Sequence, residues 1–185
     1  ALSPFMRSGD EVISVVPVPS SVKTDAYSVE LKTNYPFENS FEYTVEAKED
    51  FKLLVRIPSF AKDLKVNGNA AYGSMLLLPV KAGEKKIFNI EFTANPEFFN
   101  RPHNLASVRC GSLVFSLPIK YEKKMYEYER NGVERKFPYC DWEIRPTTDW
   151  QFAFAKGDVA VTETGVVSDM PFDTACPPVT LDVPV

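Results

Sequence analysis

FKLLVRIPSFAKDLKVNG, residues Phe51 to Gly68, carries the clearest structural signal in the chain. Phe51, Leu53, Val55 and Ile57 fall on one side of an extended backbone and Lys52, Leu54 and Arg56 on the other, the period of two that marks a half-buried β-strand. Pro58 has no N–H to give to a ladder and so belongs at the strand's end. Asn67-Gly68 provides the two positive φ angles of a tight hairpin turn. The stretch therefore predicts a strand, a proline stop, a short polar crossing and a second strand closed by a turn.

The same pattern extends in both directions. Val12 to Val16 is a short apolar run closed by Pro17 and Pro19. Ala26 to Thr33 alternates, with Tyr27, Val29 and Leu31 on one face, and so do Phe41, Tyr43 and Val45 before a Lys48-Glu49-Asp50 turn. Met75 to Leu78, a turn at Ala82-Gly83, and Lys86 to Phe92 follow. Thr93 to Asn104 is richer in Pro and Asn, carries no strand period, and is expected to separate two β units. Beyond it, Val108 to Leu117 reads as a strand interrupted by Gly111. Tyr126 to Phe137 reads as a hairpin turning at Asn131-Gly132, and Trp150, Phe152 and Phe154 read as a half-buried strand with Trp150 in the core. Val159 to Val161 is the next short strand. Strands at this spacing with no helical period predict an all-β protein: an antiparallel β-sandwich, as two packed units at residues 1–99 and 100–185, with little helix.

Composition limits the function. A chain of 185 residues with 14 Phe, 8 Tyr and 15 Pro favours strands and turns and is long enough to bury a core. A net charge of −4 without a dense Lys/Arg block argues against nucleic acid as a partner. No apolar run is long enough for a helical membrane span, and no export signal is visible, so localisation is left open. Cys110, Cys140 and Cys176 have no zinc-ligand spacing, and their odd number argues against a disulfide framework; isolated thiols are the expectation. The chain opens Ala-Leu-Ser-Pro and closes on Val179 to Val185, a strand that reads as cut short, so a piece of a longer protein is expected.

Candidates for chemistry are few. The single histidine, His103, sits between Pro102 and Asn104 in a loop and has no assignable nucleophile beside it. Neither a nucleophile elbow, a phosphate-cradling glycine loop nor a metal-spaced His/Asp/Glu cluster is visible. Glu42 with Glu46, or Glu127 with Glu129, could share a strand face as a hydrolytic carboxylate pair, but such residues ordinarily form a strand's wet face. Tyr126, Tyr128, Tyr139 and Trp142 gather around the charged hairpin. Exposed flat rings of this kind can stack on sugar faces, which makes these four the carbohydrate-contact candidates; the competing reading is that they cover a sandwich edge or a neighbouring domain.

Taken in order, several motifs carry a family resemblance. They are Thr33-x-Tyr35-Pro36, Leu54-Val-Arg-Ile-Pro58-x-Phe60-Ala61, Val66-Asn67-Gly68, Lys81-Ala-Gly83, Val108-x-x-Gly111-x-Leu113-Val114-Phe115, Pro146-x-x-x-Trp150 and Pro171-Phe172 with Pro178-Val179. Together they resemble the C-terminal β-sandwich region of glycoside hydrolase family 127, whose type activity is β-L-arabinofuranosidase. Three departures stand out. Phe60 stands where the family usually has Trp, Gly111-Ser112 where it often has Gly-Pro, and Pro79-Val80 where a Trp is common.

The resemblance implies a non-catalytic accessory region that buttresses an N-terminal (α/α)6 barrel. In the family that barrel holds the catalytic glutamates and a zinc-bound cysteine, and its adjacent-cysteine motif has no counterpart here. No catalytic residue, metal ligand or cofactor is therefore expected in this chain, which alone should be inactive. Its expected partners are the barrel, a carbohydrate, or a second copy in a homo-oligomer. The alternative is a carbohydrate-binding module acting through Tyr126, Tyr128, Tyr139 and Trp142. A complete small hydrolase built on paired carboxylates is the third reading.

Overall fold

The computed structural model of the protein describes residues 3–185. Its first ten strands are β1 (Phe5–Ser8), β2 (Glu11–Ser14), β3 (Ser20–Lys23), β4 (Tyr27–Lys32), β5 (Ser40–Ala47), β6 (Phe51–Arg56), β7 (Lys62–Val66), β8 (Asn69–Ala70), β9 (Met75–Val80) and β10 (Lys85–Thr93). They form a four-stranded sheet ordered β1-β2-β6-β9 and a six-stranded sheet ordered β3-β4-β5-β10-β7-β8. The alternation read from the sequence is the alternation of burial: Phe41, Tyr43 and Val45 of β5 and Phe51, Leu53 and Val55 of β6 are all buried. Both sheets feed one apolar cluster, with Val12, Leu53 and Val80 from one and Val29, Leu31 and Ile90 from the other. Full burial of one such side chain contributes about 1.5–3 kcal/mol.

Two contacts pin the sheets to each other. Tyr27 and Phe51 have ring centroids 5.0 Å apart. Ser14 Oγ and Tyr43 Oη share a buried hydrogen bond of 2.7 Å, so neither hydroxyl inside the sandwich lacks a partner. Burial pushes the Tyr43 phenol up to about 12, against the hydrogen bond from Ser14, which acts in the other direction.

Residues 51–68 behave as read. β6 lies in the four-stranded sheet, the chain crosses over at Pro58 to Ala61, and β7 joins the six-stranded sheet. Asn67 (φ 48°) and Gly68 (φ 78°) then make the turn into β8. The Asn67 side chain is held in place: its Oδ1 accepts the Asn89 N–H at 2.7 Å, and its Nδ2 donates to the Ile87 carbonyl at 3.4 Å.

One pairing departs from the antiparallel expectation. β2 runs parallel to β6, with Val12 opposite Leu53 and Ile13 opposite Leu54. Parallel neighbours need a long connection, and here the intervening chain leaves for the other sheet as β3, β4 and β5 before returning.

The remaining strands are β11 (Pro96–Arg101), β12 (Leu105–Cys110), β13 (Leu113–Phe115), β14 (Tyr121–Tyr126), β15 (Tyr128–Arg130), β16 (Val133–Arg135), β17 (Asp141–Pro146), β18 (Ala160–Glu163) and β19 (Val179–Asp182). They form a three-stranded sheet β11-β12-β13 and the antiparallel pairs β14-β17, β15-β16 and β18-β19. From residue 96 onward, the buried side chains are Val108, Cys140 and Pro178. The described residues contain no α-helix, only a single 3-10 turn at Pro102–Asn104.

Three sequence expectations are corrected in this half. The segment Thr93 to Asn104 is not free of strand structure, because β11 pairs antiparallel with β12 and sets Phe98 opposite Val108. Pro96 escapes the usual penalty by opening its strand. Val108 to Leu117 is not one interrupted strand; the chain reverses at Gly111 (φ 59°) and β13 folds back on β12. Trp150, Phe152 and Phe154 form no ladder strand and are 55%, 51% and 41% exposed. Their alternation has no packed sheet to face, so Trp150 is not a core residue, although Phe154 does meet Phe98 at 4.9 Å.

The two halves meet through the segments that carry the quoted motifs and residues beside them. A Cβ on Gly111 would lie 3.1 Å from Cε2 of Phe60, so the crossing between the sheets packs on the β12–β13 turn. Tyr35 Oη hydrogen-bonds Ser112 Oγ, and the Cys110 thiol donates to the Ala94 carbonyl at 3.5 Å. Farther along the chain, Phe172 reaches back to Phe37 with ring centroids 5.4 Å apart.

Candidate carbohydrate-contact ribbon

The four candidate rings lie on or beside the β14–β17 ribbon. Its register sets Tyr126 opposite Asp141, Lys124 opposite Glu143 and Glu122 opposite Arg145. Facing residues of an antiparallel pair project to the same side, so these six form one polar face. The other face carries Met125 opposite Trp142, Lys123 opposite Ile144 and Tyr121 opposite Pro146. Tyr126 and Trp142 therefore project to opposite sides of the ribbon, and the four rings do not make a single platform.

Each of these two rings already has a cation over it. Lys123 Nζ stands 4.2 Å from the Trp142 ring centre, and Lys124 Nζ stands 4.9 Å from that of Tyr126. A sugar stacking on the same face of either ring would have to displace that ammonium. The Tyr126 hydroxyl donates to Glu143 Oε2 at 2.6 Å, and Arg145 Nε donates to Glu143 Oε1 at 2.8 Å. The Tyr126 hydroxyl first and the Arg145 guanidinium second hold the Glu143 carboxyl below its ordinary range. Tyr128 donates to Asp141 Oδ1 at 3.3 Å, which puts it with Tyr126 on the polar side. Tyr139 is 79% exposed in the turn that leads into β17.

The other sequence candidates are scattered. His103 (φ 64°) is exposed in the 3-10 turn. Glu42 and Glu46 do share the outer face of β5, where Glu42 lies 4.0 Å from Lys32 and Glu46 lies 3.3 Å from Lys85. Glu127 accepts the Phe137 N–H at 3.1 Å, and Glu129 faces Glu134 across the hairpin. The cysteines are all free: Cys140 is buried, Cys110 half-buried and Cys176 exposed.

Among the described residues no three His, Cys, Asp or Glu side chains gather in a way that could hold a metal ion. No helix among the described residues is long and apolar enough to cross a membrane.

A concavity that the sequence reading missed lies in the first half. It has a volume of about 540 Å³ and is bounded by the Pro58–Ala61 crossing, β7 and the loop Ala71 to Ser74. Buried Ile57 and Leu64 form its floor, and Tyr72, 88% exposed, stands at its edge. The available signal was a lone tyrosine between Ala70-Ala71 and Gly73, set in a segment with no strand period.

No family model matches the chain, and no curated protein matches it. Among solved structures it superposes on Ara127N-Se, a GH127 β-L-arabinofuranosidase from Geobacillus stearothermophilus T6, at 13% identity and a TM-score of 0.48; 97% of this chain and 31% of that chain are covered. It also superposes on the GH127 β-arabinofuranosidase BT3674, at 14% identity and a TM-score of 0.47, covering 97% of this chain and 32% of that one. A further glycoside hydrolase gives 14% identity and a TM-score of 0.48 over 83% of this chain and 31% of its own. The chain thus spans about a third of the length of each of these structures.

Proposed function

We propose that this chain is a non-catalytic β-sandwich accessory region of a family-127-like glycoside hydrolase, made of two β units joined near residue 100, which supports a separate helical catalytic barrel. The observation that carries the reading is the junction. Segments that carry the motifs, far apart in sequence, meet there: Phe60 packs on Gly111, and Tyr35 bonds Ser112, with Phe60 and Ser112 each standing where the family usually has another residue. Motif segments that touch in this way behave as one packing unit, which supports a single accessory region more than an accidental run of turns and strands would.

Exposure in the second half supports the buttressing part. Leu105, Val114, Phe137, Ile144, Trp150 and Phe152 are each about half or more exposed. Gathered into one patch, such side chains would make the kind of surface that another domain covers.

The reading has a direct test. The purified chain should show no turnover of nitrophenyl β-L-arabinofuranoside, and the gene should encode a barrel-sized helical segment ending in adjacent cysteines upstream of Ala1. Measurable turnover by the chain itself, or an upstream sequence without such a segment, would overturn the assignment.

A further inference from the structure

We propose that the cleft between the sheet crossing and the Ala71–Ser74 loop binds an acidic saccharide, a hexuronate unit whose ring packs on Tyr72 and whose carboxylate meets Lys62 and Lys65. This goes beyond the accessory role and does not depend on it.

The cleft's size, about 540 Å³, falls within the range of small-molecule sites. Its walls are fixed by backbone hydrogen bonds: Ile57 N–H to the Ser74 carbonyl at 2.9 Å, Ala71 N–H to the Leu64 carbonyl at 2.9 Å, and Ala61 N–H to the Pro58 carbonyl at 3.1 Å. A preformed hollow of this kind loses little on binding. The floor is apolar and the edges are polar, which suits a ligand with one C–H face and a hydroxylated perimeter. Tyr72 is the aromatic residue lining this cleft, and its exposure serves no core.

Charge selects the ligand class. Among the described residues neither Lys62 nor Lys65 forms an ion pair within the chain. Glu91 lies across the ladder from Lys65 without pairing to it. The cleft's own carboxylate, Asp63, is engaged elsewhere, accepting the Thr93 hydroxyl at 2.8 Å. The cleft's lining thus carries two lysines, neither of them in an ion pair, against one carboxylate already engaged by Thr93. A flat ring, an apolar floor and that excess describe a carboxylated sugar better than a bare anion, which would use neither the ring nor the floor.

The test is titration of the ¹⁵N-labelled chain with D-galacturonate, D-galactose, acetate and inorganic phosphate in parallel, followed by amide shifts. Galacturonate should shift residues 57–65 and 70–74 with a dissociation constant on the order of 1 mM, as expected for a ligand of its size. Galactose should bind about tenfold more weakly. Tyr72→Ala should weaken galacturonate about tenfold, and Lys62→Ala with Lys65→Ala should abolish the preference over galactose; all three positions are exposed, and unchanged thermal melts establish that the variants fold. Equal binding of galacturonate and galactose would overturn the acidic class, and equal binding of acetate or phosphate would overturn the saccharide. Absence of shifts up to roughly 20 mM galacturonate would overturn the site itself.

Discussion

Gly111 is the position where a single methyl group most sharply tests how the two halves are joined. Its φ of +59° lies in the left-handed region, so any L side chain there costs about 1–2 kcal/mol in backbone strain. The added Cβ would also lie 3.1 Å from Cε2 of Phe60, closer than ordinary contact, and 3.4 Å from Cβ of Ala94, at the limit of it. Forcing such a group into a packed junction adds about 1–3 kcal/mol. Gly111→Ala should therefore lose about 2–5 kcal/mol in all.

Gly68→Ala provides the comparison, because Gly68 has a φ of +78° and nothing within 4 Å of a built Cβ. It should lose the strain alone, about 1–2 kcal/mol. Urea melts followed by tryptophan fluorescence and far-UV dichroism would measure both. Placing Phe60→Leu beneath Gly111→Ala should recover about 1 kcal/mol relative to additivity, since the clash and the ring are coupled. Equal losses at Gly111 and Gly68, or an additive double variant, would refute the idea that the crossing and the β12–β13 turn are packed against each other.

Three further outcomes follow from the geometry. Tyr43 has a phenol raised from 10.0 to about 12, so its contribution to stability is intact below pH 10 and is lost as the pH rises towards about 12. The loss should amount to about 2–3 kcal/mol; urea melts across that window should show it, and Tyr43→Phe should remove it while costing about 1–3 kcal/mol at neutral pH by orphaning Ser14. Asp50 is held below its ordinary range first by Lys81 and then by the Ala82 N–H, so the β9–β10 turn keeps its support above the usual carboxylate range and loses it as the pH falls through the lowered value. Amide shifts of Ala82 and Gly83 should follow that titration, and Asp50→Asn should flatten it. Finally, Asn131-Gly132 should deamidate faster than Asn67-Gly68, because Gly132 N can attack the free Asn131 side-chain amide and expel ammonia while Asn67 is clamped by Asn89 and Ile87. Peptide mass spectrometry after mildly alkaline incubation checks this, and equal rates at the two sites would contradict it.

Seven of the first ten strands were legible, most plainly β5, where Phe41, Tyr43 and Val45 alternate with polar residues and really do face a second sheet; β1, β3 and β8 are too short to announce themselves and were not anticipated. The turns at Asn67-Gly68 and Asn131-Gly132 were legible because positive φ is a local property of those residues. Pairing partners are not local, so nothing in Val12 or Leu53 announces that they lie side by side in parallel strands. Trp150, Phe152 and Phe154 misled for the opposite reason, since alternation reports a capacity for burial and not the presence of something to be buried against. The candidate rings were read as neighbours because they are close in sequence, yet Tyr126 and Trp142 fall on opposite faces once register is known. The cleft beside Tyr72 brings the Pro58–Ala61 crossing together with a loop, Ala71 to Ser74, that carries no motif, and only the crossing of the chain between sheets creates it.

That crossing has a consequence for how the molecule comes apart. The four strands of the smaller sheet are interrupted twice, by β3 to β5 and again by β7 and β8, and both excursions lie in the larger sheet. The sheets are thus interleaved along the chain like two alternately dealt hands. Neither can be peeled away without pulling on the connections that enter the other, so the first half should melt in one step, as a single cooperative unit.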